Sequence, residues 1–572
     1  MDLLLPEHGF ELCHRTREVT GQIRFHVRFE FIDFRKRAAV FFNREAMTSE
    51  SSFPRGGQTG RWLGIAGIVF LFVALRWNSY DAPFIRDEGE YAYSAQLLIH
   101  GIAPYQHAFI QKPPMIIYSY ALANLLLPGV FWAPRLLAYL FVALATVLLG
   151  YIARLEFGKG FALPAMWLAT PMILLPGIDQ FAANTEMFML LPLLATIAVY
   201  LRSRHRGHCP KYWLMAGILG FTTFCYKYTT LPVLGFVFVV WSVEQWRQTH
   251  DARLLRRSWL AAVLGALLAA IFELGFFLAH DGGTRLWECT VAFNRYYAAS
   301  NNFATAYLWS RFGTFWSNWW ILFFIPWAAL LRPGPRVGFW LGMFVSAIFA
   351  TGASGYAQYY IVVMPFWALL SAVGICALAS CITEWLARPA RWPGCLLTAA
   401  IVLLVLRPDV PWLTCPRERF VEVKMSAFPF IGSPVVARHV AELSSPDDFI
   451  FIAGSEPQIL YYAQRFSRSR FITVYPLMIP TAVARKYQLE AIADLLRHPP
   501  KLIVSSPTPN SWLWQAGTPP EFSEFLNQFL KQDYVLVGGY VTDKEKGHWS
   551  EPLATNQVAN ADLLVFTHKP AR

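Results

Sequence analysis

The chain has 572 residues, 55% of them hydrophobic, 16% aromatic and only 15% charged, with a formal net charge of +12. A long chain this apolar excludes an ordinary soluble enzyme and describes a protein that crosses a membrane many times. The positive charge does not imply nucleic acid, because Lys and Arg sit in short blocks between apolar runs, where they set topology. The eight cysteines include no CxxC spacing, so they carry no metal or redox signature.

Residues 1–46 contain RFHVRFEFIDFRKRAAVFF, which is basic and alternating, with no span and no signal-peptide core. Met47 opens a polar lead, MTSESSFPRGGQTGRWLG, and is expected to be the true start; a basic arm on the cytoplasmic membrane surface is the competing reading. Residues 1–60 are assigned to the cytoplasmic side.

Hydropathy predicts about eleven spans, near 61–78, 132–152, 160–178, 187–201, 212–226, 231–246, 258–279, 315–331, 337–353, 358–380 and 392–407. The apolar stretch 114–128 is left out. Its 15 residues give about 22 Å of helix against a hydrocarbon core of about 30 Å, so it is expected to lie on the membrane surface. This choice places Arg154, Arg204, Arg256 and most other basic loop residues inside. Letting 114–128 cross would reverse every later loop and break the positive-inside rule.

Residues 78–114 follow the first span. They hold Asp81, Asp87, Glu88 and Glu90 and end in Lys112 and two prolines. Asp87 and Glu90 have capping-box spacing, which predicts a helix over Glu88–His100 stopped by Gly101 and Pro104. On that pattern Asp87 is an N-cap. Its place beside a membrane span, with Lys112 close behind, points instead to a site.

The loop GIDQFAANTEM carries Asp179, Asn184 and Glu186 and no basic residue. Either Asn184 or Thr185 caps the next helix with Glu186 in its first turn, or Glu186 serves the site. Lys227, in FCYKYTTLP, has aromatic neighbours and sits at the outer rim, where a lysine near a helix end usually snorkels. Glu273 interrupts LLAAIFELGFF, and a charge at that depth costs about 2.5–3.5 kcal/mol; it is expected to face a partner or cavity, or to be protonated or snorkelling. Trp287, Phe293, Tyr296, Tyr297, Tyr307 and Trp309 are expected as interfacial anchors, with Asn294 and Tyr296 on an acceptor path. Tyr359 opens the tenth span, six residues before Pro365.

After residue 407 the composition changes. PKLIVSS and ADLLVFT read as strands, and SPVVARHVAEL, TAVARKYQLEAIADLL and PEFSEFLNQFLK as helices. DDFIFIAGSEPQILYYA reads as strand, turn and helix. Residues 408–572 are therefore expected to form an α/β domain outside the membrane, without a nucleotide motif or metal spacing.

An Asp-Glu pair after the first span, a short amphipathic helix and then Lys-Pro-Pro resemble the GT-C glycosyltransferases, and most of all glycosyltransferase family 39. That family holds protein O-mannosyltransferases and lipid A aminoarabinose transferases. The likeness runs over about residues 61–380. It implies a polytopic α-helical membrane protein of GT-C type, with 61–407 as the transferase domain. It also implies transfer from a polyprenyl-phosphate-linked sugar to a glycan, lipid or protein acceptor on the outer face. Asp87 would be the base of one inverting displacement, with Glu88 and Glu186 as the other catalytic acids. Lys112, Lys227 and Tyr359 would bind the donor phosphate. Gln358 stands where the family more often has His or Arg, and Gln111 where some aminoarabinose transferases have an acid. No cofactor is required by this chemistry, and a divalent metal stays open. Membrane lipids are the other expected partner. A transporter or lipid-linked sugar flippase is the alternative; it would explain the spans and Glu273 but not acids gathered in outer loops beside a lysine.

Overall fold

The computed structural model describes residues 58–570 except 176–180, 281, 301–302, 332, 353–355, 387–391, 426–428 and 544–545. The expectations for Met47, for residues 1–57 and for Asp179 lie outside these residues.

Every predicted span coincides with a helix. In chain order, α1 is Gln58–Ala74, α2 Arg86–Ile99, α3 Met115–Leu126, α4 Ala133–Phe157, α5 Ala162–Leu174, α6 Thr185–Arg206 and α7 Pro210–Tyr226. Then come α8 Leu231–Thr249, α9 Ala252–Ala279, α10 Phe293–Ser300, α11 Phe303–Phe324, α12 Pro335–Ala350, α13 Met364–Trp385 and α14 Trp392–Leu406. Among the described residues, six helical stretches are long and apolar enough to cross a membrane: 133–157, 185–206, 252–279, 312–331, 364–385 and 392–414. The shorter α1, α3 and α12 are also apolar.

Proline in the first turn starts α4, α7, α8, α12 and α13, where its missing N–H costs nothing. Asp251 caps α9 by accepting from the backbone N–H groups of Arg253 (2.8 Å) and Leu254 (3.1 Å). Helices α7 and α9 cross closely because Gly217 and Gly265 meet the facing backbone at Ala262 and Leu214, where a Cβ would collide. Glu273 faces a partner in this same crossing: it is 3% exposed and accepts from the Thr222 hydroxyl at 2.5 Å.

Helix α3 has 12 residues, about 18 Å at 1.5 Å per residue, too short to cross. Ile116, Ile117 and Tyr120 are buried, while Leu122, Leu125 and Leu126 are exposed.

The C-terminal part contains α15 Arg417–Met425, α16 Ser433–Glu442, α17 Gln458–Ala463, α18 Ala484–Arg497 and α19 Glu521–Asp533. Its strands are β1 Ile450–Ala453, β2 Leu502–Ser505, β3 Tyr534–Asp543, β4 Lys546–Ser550 and β5 Ala561–His568, in sheet order β1-β2-β5-β3-β4. Only β1 and β2 are parallel, with Ile450 opposite Leu502; the other pairs are antiparallel. The predicted strands are β1, β2 and β5. The hairpin β3–β4 is additional: Gly538 and Gly539 interrupt the alternation of β3, and the pairing register shifts between Leu536 and Gly538.

The C-terminal part packs against the helical part. It belongs to the same unit as the membrane helices, 52–572. It docks on the segment around α2. Phe84 stacks on Tyr462 at 5.7 Å, and its N–H donates to the Tyr462 hydroxyl at 2.7 Å. The Ser467 N–H donates to the Tyr93 hydroxyl at 2.9 Å, and the Phe109 N–H to the Arg470 carbonyl at 2.6 Å. Gly89 permits the closest approach, because a Cβ there would lie 2.5 Å from the Gln458 nitrogen.

Candidate functional site

Helix α2 starts earlier than the spacing predicts. Its N-cap is Ile85, so Asp87 and Glu88 are second and third in the first turn. The N-cap assignment of Asp87 is therefore corrected. The side chain that reaches back is Glu88, which accepts from the Ile85 N–H at 3.3 Å. Asp87 keeps a favourable place at the positive end of the helix with its carboxylate toward a cavity. Gly101, at φ +72°, follows the end of the helix as expected.

Glu88 is fully buried, and its acceptor positions are taken. Oε1 accepts from Arg135 Nε (2.7 Å) and the Ala183 N–H (2.9 Å). Oε2 accepts from Arg135 Nη2 (2.5 Å) and the Ile85 N–H. Arg135 donates its remaining protons to the carbonyls of Ser79 (3.1 Å), Ala82 (2.6 Å) and Pro83 (3.1 Å). Glu88 therefore fixes the loop before α2 and is no free acid.

The cavity has a volume of ≈ 280 Å³. It gathers Asp87 and Glu90 from α2, Gln111 and Lys112 before α3, Asn184 before α6, Tyr297 from α10 and Tyr359 from the turn Ala357–Val362. The C-terminal part contributes Lys424, Phe430, Tyr475 and Leu513. Lys112 is positioned by its own carbonyl, which accepts from the Tyr105 hydroxyl at 2.7 Å. The Gln111 carbonyl accepts from Asn294 Nδ2 at 3.0 Å.

Beneath the cavity wall lies a coupled pair. Lys227 forms a buried ion pair with Glu186, and its ammonium stands 3.0 Å from the centroid of the Tyr359 ring. Thr185 donates to the other Glu186 oxygen at 3.0 Å. Lys112 Nζ is 5.9 Å from the same Tyr359 ring. Lys112 lies near Asp87, Glu186 and Glu90. Burial disfavours its charge, but Tyr359 and these carboxylates outweigh burial and raise its affinity for the proton. Burial, with Asp87 adding to it, pushes the Glu90 carboxyl up to about 8.

Among the described residues, several polar groups around this cavity have no protein partner. Gln111 Nε2 and Asn184 Oδ1 are buried without a hydrogen bond. Asn184 is the N-cap of α6, yet its side chain makes no capping bond. Among the described residues, neither the Asp87 carboxylate nor the Lys112 ammonium makes a hydrogen bond.

The structure thus brings Asp87, Lys112 and Tyr359 to one cavity, with Glu186 and Lys227 behind it. Asn294 holds the Lys112 segment instead of lining the cavity. Tyr296 is 39% exposed and does not line it; Tyr297 does, because consecutive helical residues point about 100° apart. Phe293, expected at the interface, is fully buried against Phe109 at 5.0 Å. The sequence reading missed Arg86 and Tyr475 and took Glu90 only as a capping partner. Arg86 left no local signal, since its partners are the carbonyls of Ser455 (3.1 Å) and Asn510 (2.7 Å). Among the described residues no three His, Cys, Asp or Glu side chains gather as they would around a metal ion.

Residues 111–276 match the family model described as dolichyl-phosphate-mannose-protein mannosyltransferase. No curated protein matches the chain. Its structure is similar to crystal structures of ArnT from Cupriavidus metallidurans. For ArnT bound to undecaprenyl phosphate the TM-score is 0.54 at 14% identity, covering 87% of this chain and 99% of that one. For the apo state the TM-score is 0.53 at 16% identity, covering 89% and 98%. At these identities the likeness is one of fold.

Proposed function

We propose, from the GT-C glycosyltransferase fold of this multi-pass membrane protein, that it moves a sugar from a polyprenyl-phosphate-linked donor to an envelope glycan, lipid or protein acceptor. The observation that carries this reading is the convergence of Asp87 and Lys112 on one cavity, with no hydrogen bond on either group among the described residues. The similar ArnT structure is bound to undecaprenyl phosphate, a ligand of the class proposed here.

In this reading Asp87 takes the proton from an acceptor hydroxyl. The acceptor oxygen attacks the anomeric carbon, the carbon–oxygen bond to phosphate breaks, and the polyprenyl phosphate leaves. One displacement inverts the anomeric centre. Lys112 meets the charge that develops on the leaving phosphate. Lys227 is already neutralised by Glu186, so that pair acts by setting Tyr359 and the cavity wall. Glu88 and Arg135 act as positioning residues for the start of α2.

The site and the C-terminal part share one end of the helices, which this reading places on the periplasmic side of the inner membrane. A periplasmic reporter fused after residue 410 is expected to be active and a cytoplasmic one inactive. The activity itself is tested with purified protein, a panel of polyprenyl-phosphate sugars and membrane acceptor fractions, by following release of polyprenyl phosphate. Mass spectrometry of lipids and glycans from a deletion strain identifies the sugar and acceptor. Equal release by wild type and Asp87→Asn would sink the assignment.

A further inference from the structure

Lys112, Tyr359 and Asp87 line one cavity, and the proposed function sets the donor phosphate at Lys112. Three residues further along α2, about 4.5 Å of rise, Glu90 lines the same cavity. Glu90 is 3% exposed. Its electrostatic neighbours are Asp87, Lys112 and Arg86, with the buried Thr473 hydroxyl beside it. Arg86 is committed to the backbone carbonyls of Ser455 and Asn510, and among the described residues Glu90 has no ion-pair partner. A carboxyl buried in this way is costly unless a ligand or a proton satisfies it.

Tyr475 comes from the C-terminal part and reaches the cavity beside Glu90 and Asp87. It is 8% exposed, and among the described residues its phenol makes no hydrogen bond. Together with Gln111 Nε2 and Asn184 Oδ1, which among the described residues are buried without a hydrogen bond, these groups place donors and acceptors around one cavity. Glu90, the spare partner in the predicted capping box, has no part in the displacement.

We infer that Glu90 and Tyr475 form the subsite for the hydroxyl groups of the transferred sugar, with Glu90 the specificity-determining residue. This inference rests on the donor reading of the cavity. The two oxygens of one carboxyl match two neighbouring hydroxyls, and the Tyr475 phenol beside it supplies a third contact. Because burial keeps the Glu90 carboxyl protonated near neutral pH, it donates as well as accepts. A protonated, uncharged carboxyl matches uncharged hydroxyls, so the ligand class is a neutral monosaccharide with adjacent hydroxyls. The C-terminal part thereby completes the site instead of only covering it.

The test compares binding of undecaprenyl phosphate with binding of undecaprenyl-phosphate-linked neutral monosaccharides, by native mass spectrometry of the full-length protein in detergent. Glu90→Ala and Tyr475→Phe are expected to bind the bare lipid phosphate like wild type. Each should lose at least about tenfold in affinity for the best glycosylated lipid. Glu90→Gln, which still donates and accepts, should retain most of it. Lys112→Ala should weaken both ligands together. Wild-type affinity for the glycosylated lipids in Glu90→Ala and Tyr475→Phe overturns the subsite and leaves the donor site standing. Failure of wild type to bind either lipid overturns the donor site and the subsite with it. If Glu90→Ala does not fold, Tyr475→Phe, which keeps the ring, decides.

Discussion

Glu88 and Arg135 form a doubly hydrogen-bonded pair: the carboxylate receives Nε at 2.7 Å and Nη2 at 2.5 Å, and both side chains are fully buried. A buried pair adds little over an apolar isostere, but losing one member strands a charge. Arg135→Ala is expected to cost about 3–5 kcal/mol, read as a large fall in thermal stability in detergent. Glu88→Gln should also lower stability. An unchanged melting temperature in both would show that the pair does not hold the loop before α2.

Among the described residues, Asp87 makes no such bonds. Asp87→Asn is expected to insert normally and melt like wild type while losing roughly 10²–10⁴-fold in transfer rate. Asn would serve as well at the head of a helix, so a stable but inactive variant separates chemistry from capping. Full activity would return Asp87 to a purely structural role.

Gly89 sets the distance between α2 and the C-terminal part. Gly89→Ala places a methyl against the Gln458 backbone, which cannot give way as a flexible side chain would. We expect faster limited proteolysis after residue 408 and reduced transfer, with membrane insertion intact. Unaltered proteolysis would mean that the contact is adjustable.

The two lysines should behave differently. Lys112→Ala is expected to weaken binding of polyprenyl phosphate with little effect on folding, and Lys112→Arg to keep part of it, since the charge remains but the shape becomes a planar fork. Lys227→Met leaves Glu186 buried without its cation and should first of all lower stability. Similar melting temperatures but equal binding losses in both would place Lys227 on the phosphate as well.

Glu90 predicts a pH dependence of stability. Its carboxyl is raised from the ordinary 4.5 to about 8, so between those values the folded protein holds a proton that the unfolded chain has lost. Stability from this group therefore falls as pH rises through that window. Asp87, Lys112 and Arg86 face the same carboxyl. Glu90→Gln should gain stability relative to wild type as pH goes from 5 to 8. A constant difference in melting temperature across that range would refute the assignment.

The membrane body was legible because its signals are local. Long apolar runs, first-turn prolines and clustered basic residues specify helices and loops whatever the rest of the chain does, and the short stretch 114–128 was recognised as too short to cross from its length. Lys112 and Asp87 were also visible, since both lie in a single segment after the first span. What the sequence could not show is which acid remains free. Asp87, Glu88 and Glu90 lie within four positions, and their roles are divided by partners far away in the chain. Arg135 takes up Glu88, the cavity meets Asp87, and burial beneath Tyr475 changes Glu90. Nor do Tyr475 and Arg86 announce themselves, because each acquires its place only when the C-terminal part docks on α2. Secondary structure follows from chemistry repeated along the chain; the protonation and availability of a carboxylate depend on which charges and how much water surround it, and those are settled only by the tertiary fold.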